Sequence, residues 1–181
     1  MDAMEIIGKY YKTNSKAYTI LVNHSRAVTE KALSIAEKFS VDKEFISEAA
    51  MLHDIGIFLT NTPNLDCHGS HPYIAHGYLG REILEKEGYP RHALVCERHT
   101  GVGITKEEII KNKLPLPHRD MIPLTLEEKI IAYADKFFSK ESDGSVRIRT
   151  VDEIIKDLSK YGVEKVKIFK EWIDIFEGAA L

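Results

Sequence analysis

A histidine and an aspartate lie side by side at the end of an apolar run, in the stretch AAMLHDIG at residues 49–56. Apolar residues recur at helical spacing before this pair, so His53 is expected on the face that the helix buries. Gly56 is expected to end the helix just beyond Asp54, where the negative end of the helix dipole gives a carboxylate no support. A metal ion would supply the missing partner, since imidazole and carboxylate are suitable ligands for hard or borderline cations.

One His-Asp dipeptide proves little in a chain with eight histidines, so the other ligand-type residues decide the matter. His24 lies within the apolar stripe of a long helix predicted over residues 16–39. His76 lies in a helix predicted over residues 72–87, beside small residues that let a backbone or a metal ion come close. A lone buried histidine is usually a hydrogen-bonded core residue, so each of these is ambiguous by itself.

Two further residues complete the set. His99 ends a short helix predicted over residues 91–100, and Asp135 lies in the apolar stripe of a helix that begins after Thr125. An unpaired carboxylate in such a stripe would be costly, so Asp135 needs a cation or several hydrogen-bond donors. Six ligands including two carboxylates exceed what one tetrahedral ion uses, and two ions bridged by Asp54 fit the count better. Because the set has no thiolate, it suits iron, manganese or zinc better than copper.

Every predicted element is a helix, so the fold class is all-α. The predicted helices span residues 2–11, 16–39, 43–54, 72–87, 91–100 and 105–112, a segment after Thr125, and residues 150–161 and 163–177. Residues 60–71 are a predicted loop, and residues 113–124 contain three prolines that exclude a regular helix. Residues 139–145 form a polar loop that is expected to be the most flexible segment.

Length and composition bound the class of protein. The 181 residues favour one domain over residues 1–181, with a metal-binding core at about 16–140 and C-terminal packing helices at about 150–177. The formal net charge of −3 gives no basic character to attract nucleic acid or an acidic membrane. Asp2 and Glu5 interrupt the start, so no signal peptide is expected, and no apolar run reaches transmembrane length. Two cysteines without metal-site spacing favour a reducing, cytoplasmic location over a disulfide scaffold.

The order of the ligand-type residues resembles a known signature. His24, then His53-Asp54-Ile55-Gly56, then Asp135 resembles the His…His-Asp…Asp signature of the HD superfamily of metal-dependent phosphohydrolases. His76 in AHGYLGREIL and His99 in ERHTG resemble the extra histidine pair of its dinuclear branch. The stretch TLEEKIIAYADK at residues 125–136 is similar to the last family motif, so the resemblance spans residues 20–140.

The resemblance implies an HD-domain helical bundle with two metal ions, and iron is preferred over manganese or zinc. The implied ligands are His24, His53, Asp54 and Asp135 for the first ion, and Asp54, His76 and His99 for the second. The implied reaction is hydrolysis of a phosphoester or phosphoanhydride of a nucleotide or dinucleotide by a metal-activated hydroxide. The implied partner is a small phosphate substrate, without a nucleic acid polymer or a membrane, and the oligomeric state is left open. Asp54 and Arg98 are the predicted catalytic residues.

The chain departs from many dinuclear members at the phosphate-binding lysine that follows their His-Asp-Ile-Gly. This chain has Ile57 and Phe58 there, so another residue must supply the cation. The candidates, in order of preference, are Arg98, Arg81, Lys136 and Arg26. His68, in the loop at residues 60–71, is a further candidate for substrate contact. HD-GYP phosphodiesterases need a Gly-Tyr-Pro cluster at a place where this chain has none. Gly88-Tyr89-Pro90 has the same letters but lies after His76, where it predicts a helix-ending turn. This difference argues against a cyclic di-GMP role.

Three other interpretations stay open. The same six ligands serve di-iron oxygenases of the HD superfamily, which open C–C or C–P bonds, and the absent lysine keeps that class in play. A non-catalytic metal-binding or nucleotide-binding module is the second. The third is a helical domain with buried histidines and no metal, which the presence of both Asp54 and Asp135 disfavours.

Overall fold

The fold, seen in a computed structural model, is described for residues 1–178 and is all-α, as the sequence predicts. The α-helices are α1 (Ala3–Tyr10), α2 (Lys16–Ala36), α3 (Lys43–Leu52), α4 (His76–Lys86), α5 (Pro90–Arg98), α6 (Lys106–Lys111), α7 (Leu126–Asp135), α8 (Val151–Ser159) and α9 (Val163–Glu177). Short 3-10 helices span Ile55–Leu59, Pro63–Leu65 and Tyr73–Ala75. Over the described residues, no helix is long and apolar enough to cross a membrane. Residues 179–181, the end of the expected domain, lie outside the described residues.

Two small antiparallel hairpins interrupt the helices where the sequence predicts loops. The first pairs β1 (Asn61–Thr62) with β2 (Cys67–His68), and the second pairs β3 (Phe138–Lys140) with β4 (Val146–Ile148). The predicted polar loop at residues 139–145 therefore begins too early: residues 139–140 belong to β3, and residues 141–145 form the turn of the hairpin. The turn of the second hairpin is fastened to α2, because the Asn23 side chain donates to the Gly144 carbonyl at 2.8 Å.

Side-chain caps fix where several helices begin. Asp42 accepts a hydrogen bond from the Phe45 backbone at 2.9 Å, and Thr105 forms a capping box with Glu108. The sequence Thr125-Leu126-Glu127-Glu128 has the same pattern, but its capping box is only half formed. Thr125 accepts from the Glu128 backbone, but the Glu128 carboxylate turns elsewhere and accepts from the Leu124 backbone and from an arginine of α5.

Two apolar clusters lie on either side of α3. One is built from α2, α3 and α7 and is closed by α8 and α9, with Tyr133, Phe169 and Phe176 fully buried. The rings of Phe169 and Phe176 lie 5.5 and 5.2 Å from the ring of Tyr133. The other cluster joins α1 to α2, α3, α4 and α5. The ends of α3, α5 and α7 and one face of α2 meet between these clusters, and there the polar residues gather.

The local structure at His53 differs from the expectation. Helix α3 ends at Leu52, and the chain turns at His53 into the 3-10 helix Ile55–Leu59. Gly56 does not have the positive φ of a helix-ending glycine. A Cβ atom at Gly56 would lie 2.3 Å from the carbonyl oxygen of His76 and 2.5 Å from the nitrogen of Gly80. Gly56 therefore lets the 3-10 helix touch the backbone of α4.

Candidate metal centre

Three histidines are oriented by their own backbones. The Nδ1 atoms of His53, His76 and His99 lie 2.6, 2.6 and 2.7 Å from the carbonyl oxygen of the residue three positions earlier. A carbonyl can only accept, so each Nδ1 must carry a proton and donate it. In the neutral ring, each Nε2 then keeps a lone pair that points into the protein. This arrangement is typical of metal-ligating histidines.

Asp54 divides its two oxygens between two groups of imidazoles. Its Oδ1 lies 3.3 Å from Nε2 of His76 and 3.2 Å from Nε2 of His99. Its Oδ2 lies 3.4 Å from Nε2 of His24 and 3.3 Å from Nε2 of His53. The Asp54 side chain is 1% exposed. A carboxylate placed in this way can bridge two cations.

Asp135 completes the first group. Its Oδ1 lies 2.9 Å from Nε2 of His24 and 3.3 Å from Nε2 of His53. The ligand atoms of His24, His53, Asp54 and Asp135 all lie within 4.8 Å of one another. The same holds for a second group formed by Asp54, His76 and His99. The structure thus brings together all six residues that the sequence predicts as metal ligands, in the two sets that the resemblance implies.

The donor atoms fit two cations. The Nε2 atoms of His76 and His99 lie 3.1 Å apart, and in the neutral rings neither can donate a hydrogen bond to the other. His53 Nε2 is buried and has no hydrogen-bond partner within residues 1–178. Facing lone pairs on His76 and His99 are unfavourable, and so is a buried ring nitrogen of His53 without a hydrogen-bond partner. Positive ions bound at these nitrogen atoms would remove both problems.

The two carboxylates stay ionised. Burial favours the neutral form of Asp54. The charge of Lys140, together with the charge of His53 and the hydrogen bonds of His53 and His76, outweighs burial and holds the pKa of Asp54 well below its usual range. Burial acts in the same direction on Asp135, but the charge of Lys136 and the contacts of His24 and His53 together outweigh burial and hold the pKa of Asp135 well below the usual range as well. Two negative charges therefore remain in the interior and require cations around them.

The imidazoles differ in their protonation. Burial lowers the pKa of His24 to about 4, and the charge of Lys140 acts in the same direction. Burial also lowers the pKa of His99 to about 4. At His53 burial opposes the charged form, but the charges and hydrogen bonds of Asp54 and Asp135 together outweigh burial and raise the pKa to about 10. A metal ion bound at His53 must therefore displace a proton, as is general for imidazole ligands.

Close backbone packing holds the second group in place. A Cβ atom on Gly77 would lie 2.8 Å from the carbonyl oxygen of Cys96, so α4 and α5 approach where His76 and His99 face each other. The Cys96 thiol donates to the Leu52 carbonyl at 3.2 Å and ties α5 to the end of α3. Small residues beside His76 were expected to allow such an approach, and the structure uses them in this way.

A cleft of about 350 Å³ opens beside Asp135. It is lined by Thr62, Asn64, Leu65, Tyr73, Asp135, Lys136, Phe138, Ser139, Lys140 and Arg149. Lys140 reaches Asp54 Oδ2 at 2.6 Å, and Lys136 reaches Asp135 Oδ2 at 2.7 Å. The cleft thus places three cationic side chains next to the candidate metal centre.

The other predicted substrate cations lie elsewhere. Arg98 donates to Glu128 at 3.0 Å, and Arg81 forms ion pairs with Glu85 and Glu97. Neither arginine lines the cleft. The ion pair of Arg98 with Glu128 joins α5 to α7, and the ion pair of Arg81 with Glu97 joins α4 to α5.

Two more candidates face solvent, and two cationic residues of the cleft are not among the candidates that the sequence indicates. Arg26 is exposed on α2, and the His68 side chain is 67% exposed, with Nε2 3.3 Å from Asp66. The missed residues are Lys140 and Arg149, on and just after the second hairpin. Lys140 is 86 positions from Asp54, and no local pattern links them.

The comparisons with known proteins agree with this geometry. The family model described as the HD domain matches residues 21–140, a stretch that contains all six clustered residues. An uncharacterized protein of Methanocaldococcus jannaschii is 40% identical over 146 residues, which are 77% of this chain and 76% of that protein.

Two curated relatives are named tRNA (cytidine(56)-2'-O)-methyltransferase. The protein of Thermoplasma volcanium is 34% identical over 90% of this chain, and that of Picrophilus torridus is 37% identical over 71% of it. The matches span only 43% and 34% of those two proteins.

Solved structures share the fold. The HD domain of the phosphodiesterase PgpH of L. monocytogenes has a TM-score of 0.54 and 18% identity, covering 94% of both chains. The same domain in complex with cyclic-di-AMP has a TM-score of 0.55 and 20% identity, covering 94% of this chain and 92% of that chain.

Proposed function

The chain belongs to the HD-domain family, and from this premise we propose that it is a metal-dependent phosphohydrolase. The proposed reaction is hydrolysis of a phosphoester or phosphoanhydride in a nucleotide or dinucleotide. The observation that supports it most strongly is the division of the Asp54 oxygens between two ligand groups, beside a cleft lined with cations. Two ions held in this way can lower the pKa of a water molecule between them and offset negative charge on phosphate oxygens.

We propose His24, His53, Asp54 and Asp135 as ligands of the first ion, and Asp54, His76 and His99 as ligands of the second. Iron is the first choice, with manganese or zinc as alternatives, because the set is imidazole and carboxylate without thiolate. Asp54 would offer one carboxylate oxygen to each of the two ions. Backbone carbonyls preset three of the imidazole rings, so little reorientation is needed when the ions bind.

The remaining residues have positional or binding roles. Arg98 is held by Glu128 and ties the end of α5, which carries His99, to α7. We therefore assign Arg98 a positioning role in place of direct contact with the substrate. Lys136 lines the cleft and holds the outer oxygen of Asp135, so it both orients that carboxylate and adds positive charge where a phosphate group would enter.

The cleft is suited to a nucleotide. Tyr73 is 40% exposed at its wall, with its ring 4.6 Å from the ring of His76, so it offers an aromatic face close to the centre. Thr62 and Asn64 add polar groups on the same side. The volume of about 350 Å³ is at the small end of ligand sites, which favours a small molecule over a polymer.

The test is a hydrolysis screen with protein loaded separately with iron and with manganese. Substrates would be nucleoside monophosphates, dinucleoside polyphosphates, cyclic dinucleotides and a nitrophenyl phosphate, with tRNA included because two relatives are named tRNA methyltransferases. Asp54→Asn should abolish turnover. Asp66→Asn is the matched control, because Asp66 belongs to neither ligand group, its side chain is 42% exposed, and its positive φ of 58° is tolerated by asparagine.

Two results would count against the proposal. One is the absence of phosphate or nucleotide release from every substrate by protein that contains both ions. The other is oxygen consumption by the iron form without phosphoester cleavage, which would favour the di-iron oxygenase interpretation.

A further inference from the structure

Lys140 has an unusual position for a lysine. Its side chain is only 12% exposed, and its Nζ lies 2.6 Å from Asp54 Oδ2. The same oxygen faces His24 Nε2 at 3.4 Å and His53 Nε2 at 3.3 Å. Lys140 therefore reaches the oxygen that the first ligand group would offer to its ion, and it does so from the side of the cleft.

An ammonium group and a metal ion at one carboxylate oxygen repel each other. At short range in a protein interior this repulsion is large, so a metal ion at Asp54 weakens the contact of Lys140 with that carboxylate and favours a further anion between the two cations. The cleft provides space for such an anion, and Lys140 is one of its lining residues. A phosphoryl group has several oxygens and can accept from Lys140 while it faces the metal centre.

Lys136 does not have the same relation to the centre. Its Nζ lies 2.7 Å from Asp135 Oδ2, whereas the oxygen of Asp135 that faces the imidazoles is Oδ1. Lys136 thus neutralises an outer oxygen and can keep that contact when the centre is loaded. Arg149 is also engaged, in an ion pair with Asp157. Among the cleft cations described over residues 1–178, Lys140 is the one whose present partner a metal ion would claim.

We propose that Lys140 is the residue that binds the phosphoryl group of the substrate. It takes the place of the lysine that this chain lacks after His53-Asp54-Ile55-Gly56, and it leaves Asp54 for the phosphoryl oxygens when the centre is loaded. The inference rests on the proposed function and names a substrate-binding residue for it. The backbone of Lys140 is fixed by pairing with Val146 in the hairpin, so the flexible four-carbon side chain makes the movement.

The experiment uses two probes on the full chain, Mn²⁺ and inorganic phosphate. Calorimetry first measures Mn²⁺ binding to chelator-treated protein, and then phosphate binding to the Mn²⁺-loaded protein. The variants are Lys140→Met, which keeps the length without the charge, and Lys140→Arg, which keeps the charge. Lys9→Met is the matched control, because Lys9 pairs with Glu87 on the surface and touches neither the centre nor the cleft.

Lys140→Met should bind Mn²⁺ about tenfold more tightly than wild type, because a charged hydrogen bond to Asp54 no longer competes. It should bind phosphate about tenfold more weakly, because a charge-assisted contact is lost. Lys140→Arg should keep most of the phosphate affinity and should fold even if the methionine variant does not. Lys9→Met should match wild type in both titrations.

Phosphate affinity in Lys140→Met equal to that of Lys9→Met would overturn the inference, whatever happens to Mn²⁺ binding. Failure of the wild-type chain to bind Mn²⁺ would overturn it as well. If phosphate binding weakens as expected but no phosphoester is cleaved, the proposed function fails while the role of Lys140 in phosphate binding stands. If phosphoesters are cleaved and Lys140→Met binds phosphate as wild type does, the proposed function stands and the role of Lys140 in phosphate binding fails.

Discussion

Gly56→Ala tests whether the contact between the 3-10 helix and α4 builds the centre. The added Cβ would lie 2.3 Å from the His76 carbonyl oxygen and 2.5 Å from the Gly80 nitrogen. Both atoms belong to the backbone, so a rotamer change cannot relieve the overlap, and the two segments must separate. Overpacking typically costs about 1–3 kcal/mol. We expect about 3 kcal/mol here, because the backbone of α4 must move.

Urea unfolding followed by circular dichroism measures this loss. With a slope of about 2 kcal/mol per molar, a loss of about 3 kcal/mol moves the midpoint down by about 1.5 M. The same separation would draw His76 away from Asp54, so the second ion should bind more weakly. Gly8→Ala is the matched control. Gly8 lies within α1 with nothing within 4 Å of its added Cβ, so that variant should be more stable by about 0.5–1 kcal/mol. A Gly56→Ala protein as stable as wild type would refute the reasoning.

Three other outcomes are expected. Phe169→Ala removes a fully buried ring beside Tyr133 and should lower the free energy of unfolding by about 3–5 kcal/mol. Urea unfolding measures this loss, and a loss below about 1 kcal/mol would contradict the packing of α9. Burial raises the pKa of Cys67 to about 11 and holds that of Cys96 well above its usual value, so at pH 8 neither thiol should react with a thiol reagent until urea is added. Asp135→Asn should reduce the bound metal from about two ions per chain to about one, measured by elemental analysis, and should leave the circular dichroism spectrum unchanged. Unchanged metal content would exclude Asp135 as a ligand.

The helices and the six clustered residues could be predicted because their signals are local. The apolar stripe around His24 and the capping residues Asp42 and Thr105 depend on spacing within one helix. A carboxylate or imidazole within such a stripe is anomalous by itself, and several such residues suggest a common site. The resemblance to the HD family then predicts which residue joins which group.

The role of Gly56 could not be predicted, because the sequence does not show which backbone would approach it. A glycine after a helix is usually a helix-ending residue, whereas this one lies in a 3-10 helix against α4.

The position of Lys140 at the candidate metal centre could not be predicted from the sequence either. Its stretch is polar and short, which is typical of a loop, yet it pairs with Val146 and its turn is held by Asn23. These contacts are long-range, so neither the hairpin nor the approach of Lys140 to Asp54 leaves a periodic pattern in the sequence. The position of Arg98 beside His99 makes it the preferred phosphate cation on sequence alone. Its ion pair with Glu128 of α7 becomes visible only in three dimensions.

The central claim is that Asp54 joins two cation sites, and metal content tests it most directly. Protein purified without a metal-binding tag would be analysed for iron, manganese and zinc, alongside Asp54→Asn and the control Asp66→Asn. The account predicts about two ions per chain in wild type and in the control, and loss of both in Asp54→Asn. One ion per chain that persists in Asp54→Asn, or no metal after reconstitution of the wild-type protein, would contradict it.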